Sequence, residues 1–159
     1  MLLGPLRMVL IRHSPQARAM VIGSACASLL YVSHMLLSPA DRDGEIARIV
    51  AVSCDRNAAL DVTGALIATF RFFAQILEGP PGSIEALMIS IRRDPRHRDV
   101  TVVREELLAG RRFPRWSMAY SGAAGYVDRT IAPLVGTSHD ARPAPDTDLL
   151  VRLIREFTR

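Results

Sequence analysis

The sequence predicts an α+β sandwich, a mixed sheet with two helices on one face. Three observations predict it. Short apolar runs bounded by polar residues recur along the chain, as buried strands do. Two stretches between them repeat apolar residues at three- and four-residue spacing, as amphipathic helices do. The order reads strand, helix, strand, strand, helix, strand, strand. The 159 residues are 49% hydrophobic and 23% charged, an ordinary globular balance for one domain.

Residues 1–26 show no clear period and read as an N-terminal extension, with Met20 a candidate start. Ser28 to Ser33 is the first strand. Ser38-Pro39-Ala40-Asp41 reads as a helix start, with the serine capping free amides, proline at a tolerated position and an acid in the first turn. Ile46, Ile49, Val50 and Ser53 continue that helix to about Arg56. Val62 to Thr69 and Phe72 to Glu78 are strands joined by a tight reversal that lacks the expected glycine or asparagine. Ile84, Leu87, Met88 and Ile91 define a second helix that ends near Asp94-Pro95. Val100 to Val103 and Trp116 to Ser121 are the last strands. This βαββαββ order is of ferredoxin-like type.

The tail differs. Residues 141–145 are a proline-rich link, and Asp146 reads as a cap. Leu149, Leu150, Leu153, Ile154 and Phe157 form one stripe of a final helix, after a short helix around Asp128 to Val135. These helices are expected to cover the sheet face left bare, or to make a dimer contact. The domain division is 1–26, 27–122 and a helical cap at 123–159.

Composition excludes several chemistries. All 20 basic residues are arginine, which removes any Walker A loop, Schiff base or lysine general base. Two cysteines make no disulfide framework and fit a reduced, cytoplasmic protein. No apolar run reaches the roughly 18–20 residues that span a bilayer, so no membrane is expected. The four histidines have no metal-ligand spacing, so no metal is expected. A net charge of +4 without exposed aromatics on central strands gives no case for nucleic acid.

What remains is a set of polar residues inside apolar elements. Tyr31 lies mid-strand, Asn57 at the end of the first helix, and Gln75 mid-strand on the face shared with Phe73 and Leu77. Buried phenols and amides need partners. Each alone has a local reading, as a core tyrosine, a helix terminator and an edge residue. Converging at one end of a sheet, the three make a small polar pocket.

Five segments in fixed order carry a family resemblance: LLYVS at 29–33, RNAALDVTGAL at 56–66, FAQILEG at 73–79, RRDPRHRDV at 92–100 and RRFPRWSMAY at 111–120. The stretch from Ser28 to Gly122 resembles a BLUF domain, a bacterial blue-light sensor. The resemblance implies a non-covalent flavin between the two helices, usually FAD, with FMN or riboflavin as alternatives. It assigns Tyr31 as the photochemical tyrosine, Gln75 as the switching glutamine and Asn57 as the amide that holds the flavin ring. It pairs Trp116 and Met118 as reporters of the light state. It places Ser33, Ile49, Ser53, Arg56, Asp94, Arg96 and His97 along the ring, ribityl chain or phosphate. Arg56 and Ser90 depart from the family pattern.

The residue types suit this. A phenol is neutral near pH 7 and can release an electron and a proton together. A glutamine amide offers both a donor and an acceptor, so rotation or tautomerisation reverses its hydrogen bond. The expected function is a non-enzymatic blue-light photoreceptor that signals through a downstream protein, a homodimer or a higher oligomer. The alternative is a BLUF-like interaction module without flavin.

Overall fold

The computed structural model describes residues 26–122, 124–137 and 147–158, with backbone alone at 117–121. The elements are β1 (Cys26–Met35), α1 (Arg42–Ala59), β2 (Thr63–Ala68), β3 (Phe72–Gly79), α2 (Pro81–Arg93), β4 (His97–Leu108), β5 (Trp116–Ser121), α3 (Gly125–Ile131), a 3-10 turn (Ala132–Leu134) and α4 (Thr147–Phe157). The sheet order is β4-β1-β3-β2-β5. β2 and β5 run parallel and every other neighbouring pair is antiparallel. This is the ferredoxin-like α+β sandwich that the sequence predicts.

Alternation along the central strands divides the core. Leu30, Val32, Ala65, Ile67, Ala74 and Ile76 pack against Val127, Ile131, Leu134, Leu150 and Ile154 of the C-terminal helices. Their neighbours turn the other way. Leu29, Tyr31 and Leu77 meet Ile84, Leu87 and Met88 of α2. Leu66 and Phe73 meet Ile46 and Ile49 of α1, with Trp116. All eight residues of β3 are buried, each large apolar side chain contributing about 1.5–3 kcal/mol at most.

Several expectations are corrected. β1 begins at Cys26, inside the span read as extension, while residues 1–25 lie outside the described residues. Ser38 does not cap α1. It closes a turn through Asp41 N–H to Ser38 O, 3.3 Å, and the helix starts one turn later. The buried Arg42 fixes that start by donating to the carbonyl of Thr69. The reversal needs no glycine because the Thr69 hydroxyl accepts from the amides of Arg71, 3.2 Å, and Phe72, 3.0 Å.

β4 is three times longer than the four residues predicted, pairing with the whole of β1. It is an edge strand with half-exposed charged residues, so its alternation is masked. A register shift opposite Ser33 places Asp99 at a φ of 54°. In α4 the buried residues are Leu150, Val151 and Ile154, whereas Leu149 is 40% exposed. The proposed cap Asp146 and the 141–145 link lie outside the described residues.

Among the described residues one charged group is fully buried. The Glu78 carboxylate accepts from the amides of Arg112, 2.7 Å, and Phe113, 3.0 Å, and from Arg112 Nε, 2.9 Å. Arg112 also reaches Glu106 at 2.8 Å, Glu106 meets Arg104 at 3.0 Å, and Arg104 pairs with Asp148 in the first turn of α4. The chain of charges thus joins the end of β3 to the C-terminal helix. With the Ser28 hydroxyl donating to Glu78 Oε1 at 3.4 Å, four contacts on one carboxylate are what make such burial tolerable.

Candidate functional site

A cleft of about 110 Å³ opens between α1 and α2 above β1 and β3. Helical spacing brings Ile49, Ser53, Arg56 and Asn57 of α1 to one wall. β3 contributes Phe73, Gln75 and Leu77 through its period of two. Asp94, Arg96 and His97 come from the turn after α2 and the first residue of β4. Gly64 explains the Thr-Gly pair in the second motif. Its φ is 143°, and a Cβ there would stand 1.9 Å from the carbonyl oxygen of Ile76, so only glycine lets β2 approach β3.

Tyr31 and Gln75 are register partners on β1 and β3. The Tyr31 hydroxyl donates to Gln75 Oε1 at 2.7 Å. Tyr31 is 1% exposed and Gln75 5%. Burial, reinforced by the charge of Asp94, pushes the Tyr31 phenol well above its ordinary range, so the proton stays on the hydroxyl. Asn57 is equally buried, and its Nδ2 has no partner among the described residues. A buried amide nitrogen without a partner, on a cleft wall, suits a ligand that brings an acceptor.

Burial of Asp94 would raise its carboxyl, but the hydrogen bonds and charge of Arg96 outweigh this and hold it below the usual range. Arg96 grips Asp94 through its amide and guanidinium, with the closest contact at 2.6 Å, and reaches Glu45 of α1 at 3.7 Å. His97 stacks 4.4 Å from the Phe73 ring. Burial is the main cause that takes its pKa down to about 4, with Arg96 adding and Asp94 opposing. The imidazole is therefore neutral near pH 7.

Two expected site residues do not line the cleft. Ser33 is fully buried behind His97, its hydroxyl 2.8 Å from Nδ1. The register at the β4 bulge brings His97 between Ser33 and the cleft. Trp116 packs instead with Met35, Ile46, Ile49, Leu66 and Phe73, and its Nε1 has no partner among the described residues. The side chain of Met118 lies outside the described residues; its backbone pairs with Leu66. The apolar lining from Val52, Leu66 and Leu87 went unnoticed in the sequence. The helical period of α1 could have signalled Val52. Among the described residues no group of three or more His, Cys, Asp or Glu is placed to hold a metal ion, and no helix is long and apolar enough to cross a membrane.

Residues 27–119 match the family described as BLUF, sensors of blue-light using FAD. The beta subunit of a photoactivated adenylate cyclase from Euglena longa is 30% identical over 136 residues, 85% of this chain and 14% of that protein. The blue light- and temperature-regulated antirepressor BluF of Escherichia coli is 33% identical over 95 residues, 57% of this chain and 22% of that protein. The chain thus spans a small part of the curated relatives it matches. Among solved structures, the dark state of the BLUF protein BlrB is 30% identical with a TM-score of 0.61, covering 84% of this chain and 97% of that one. The photo-activated state of BlsA, at 21% identity and a TM-score of 0.63, covers 81% of this chain and 94% of its own and shares the fold. With a matching family over most of its length, a curated relative and a solved structure alike, the chain belongs to the BLUF family of blue-light sensors.

Proposed function

We propose that this chain is a photoreceptor that holds a flavin without a covalent bond in the cleft between α1 and α2, with Tyr31 and Gln75 as its switch. The observation that carries the reading is the 2.7 Å hydrogen bond from Tyr31 to Gln75 Oε1, beside the unpartnered Nδ2 of Asn57. The residues fit the group: Asn57 supplies a donor at the wall, Phe73 and Leu77 supply apolar contact, and Asp94 and Arg96 supply polar groups at one side. A bound flavin supplies blue absorption and, once excited, an acceptor for an electron.

The chain's own residues do the rest. Tyr31 keeps its proton in the dark and donates a hydrogen bond with it to Gln75 Oε1. Rotation of the Gln75 carboxamide exchanges Oε1 and Nε2, so that Nε2 then donates to Tyr31 Oη and Oε1 turns to where Nε2 stood. Tautomerisation of the amide would reverse the bond equally. No substrate is turned over. Residues 27–122 hold the flavin and 123–159 form the cap. Because α3 and α4 cover the opposite face of β3, the signal leaves through that face to a protein partner or through a change of assembly.

The test is an absorption spectrum of the purified protein before and after blue light. Bound oxidised flavin with a small red shift that decays in darkness is the expected result. A colourless protein that takes up no flavin on refolding with excess FAD would instead make the chain a flavin-free interaction module.

A further inference from the structure

A second depression, larger than the cleft, runs along the other flank of α2. This groove of about 550 Å³ lies between α2 and the edge of the sheet formed by β1 and β4. Leu29, Ile84 and Met88 are buried in its floor, with Val102 half-buried beside them. The register sets Leu29 opposite Glu105 and Ala27 opposite Leu107, so these four share one face of the sheet. Leu107 is 74% exposed there. Charge on the walls is uneven. α2 brings Glu85 and, about two turns further on, Arg92, while β4 brings Glu105 and Glu106. Glu106 is held by Arg104 and Arg112. Glu85 and Glu105 are exposed and form no ion pair among the described residues. An apolar floor flanked by two unpaired acids, on a chain whose net charge is +4, suits a segment that is both apolar and basic.

We infer that this groove is a docking surface for residues 1–25 of the same chain. Those residues carry Arg7, Arg12 and Arg18, no Asp or Glu, and the apolar run Met8-Val9-Leu10-Ile11. They join the fold at Cys26, directly before Ala27 in the groove wall. The stretch from Arg18 to Cys26 spans up to about 26 Å when extended, and the groove follows α2 for about 16 Å from Pro81 to Arg92. Covalent connection keeps the segment at a high effective concentration, so individually weak contacts suffice. The inference stands apart from the flavin reading. Its consequence reaches the cleft all the same, because α2 turns Leu87 and Ile91 to the cleft and Ile84, Glu85 and Met88 to the groove. A segment seated in the groove bears on the helix that walls the cleft.

Limited trypsin digestion of the full chain tests this, with cleavage after Arg12 and Arg18 followed by mass spectrometry. A synthetic peptide of residues 1–25, digested in the same buffer, sets the unprotected rate. Cleavage tracks the population of released segment and the charge pairs lie at the surface, so the chain should be cut about threefold to tenfold more slowly than the peptide at low ionic strength. Added salt should shrink that difference. Glu85→Gln combined with Glu105→Gln should bring the rate close to that of the peptide, and so should Leu107→Ser, which changes an exposed side chain and leaves the core intact. Peptide-like cleavage in the wild type, or undiminished protection in either variant, overturns the inference. Protection that grows with protein concentration overturns it too, because the groove then takes the segment of a second copy.

Discussion

Tyr31 and Gln75 face each other twice, as backbone partners in the β1–β3 register and as side chains joined by a 2.7 Å hydrogen bond. The register holds the two residues opposite each other on one face of the sheet, and the hydrogen bond sets which way their side chains turn within it. Tyr31→Phe fills nearly the same volume and should keep flavin bound while abolishing the red-shifted state. It leaves Gln75 Oε1 without its donor, at a cost of about 1–3 kcal/mol in stability. Light-minus-dark spectra and thermal unfolding check both; a photocycle like the parent's would remove Tyr31 from the switch.

Gln75→Leu neither donates nor accepts. It should bind flavin and fail to form the normal light state, which the same difference spectrum reads. A normal light state in this variant would assign the switch elsewhere.

Asn57→Ala removes the unpartnered buried donor. Flavin content, measured on denatured protein, should fall several-fold relative to the wild type, on the order of one lost hydrogen bond. Unchanged content would argue that the Asn57 amide anchors nothing.

The pH dependence follows from His97, whose pKa in the folded chain is about 4 against 6.5 ordinarily. The unfolded chain takes up this proton first, so the histidine disfavours the folded state as pH falls from about 6.5 toward 4. The loss amounts to about 3 kcal/mol at most. Urea unfolding at a series of pH values should show it, and His97→Gln should flatten that part of the curve. A wild-type slope that survives in His97→Gln would place the titration on another group.

Arg112→Ala strips the charged side-chain partner from the fully buried Glu78 and should cost about 3–5 kcal/mol. Arg104→Ala loosens a pair whose partner Asp148 is 70% exposed and should cost under about 1 kcal/mol. Paired denaturation curves decide; equal costs would mean that the backbone amides and the Ser28 hydroxyl satisfy the buried carboxylate without Arg112.

Much of this was legible because β1, β3 and α2 write their environment plainly. Their apolar residues recur at one period, and the polar intruders Tyr31 and Gln75 stand out against it. β4 was not legible, since an edge strand half in water alternates only weakly and its charges resemble a loop. Nor was the Ser38 turn, because a buried Arg42 tied to Thr69 decides where α1 begins, and that contact joins residues 27 apart in sequence. Ser33 shares a strand face with Tyr31, and the family resemblance alone places it along the flavin. The bulge beside it brings His97 in front, and no local pattern announces a bulge.

The strict alternation of β3 limits how a change in the cleft can travel. If β3 slid by one residue, Gln75 would enter the apolar layer beneath α3 and α4, and Ala74 would take its place under the cleft. Sliding would bury an amide in the apolar layer and leave a hole the size of the lost methylene and carboxamide in the site, so that motion is closed. What stays open is tilting and twisting of the strand as a rigid lever, with Gln75 at one side and Ala74 and Ile76 pressing on the C-terminal helices at the other.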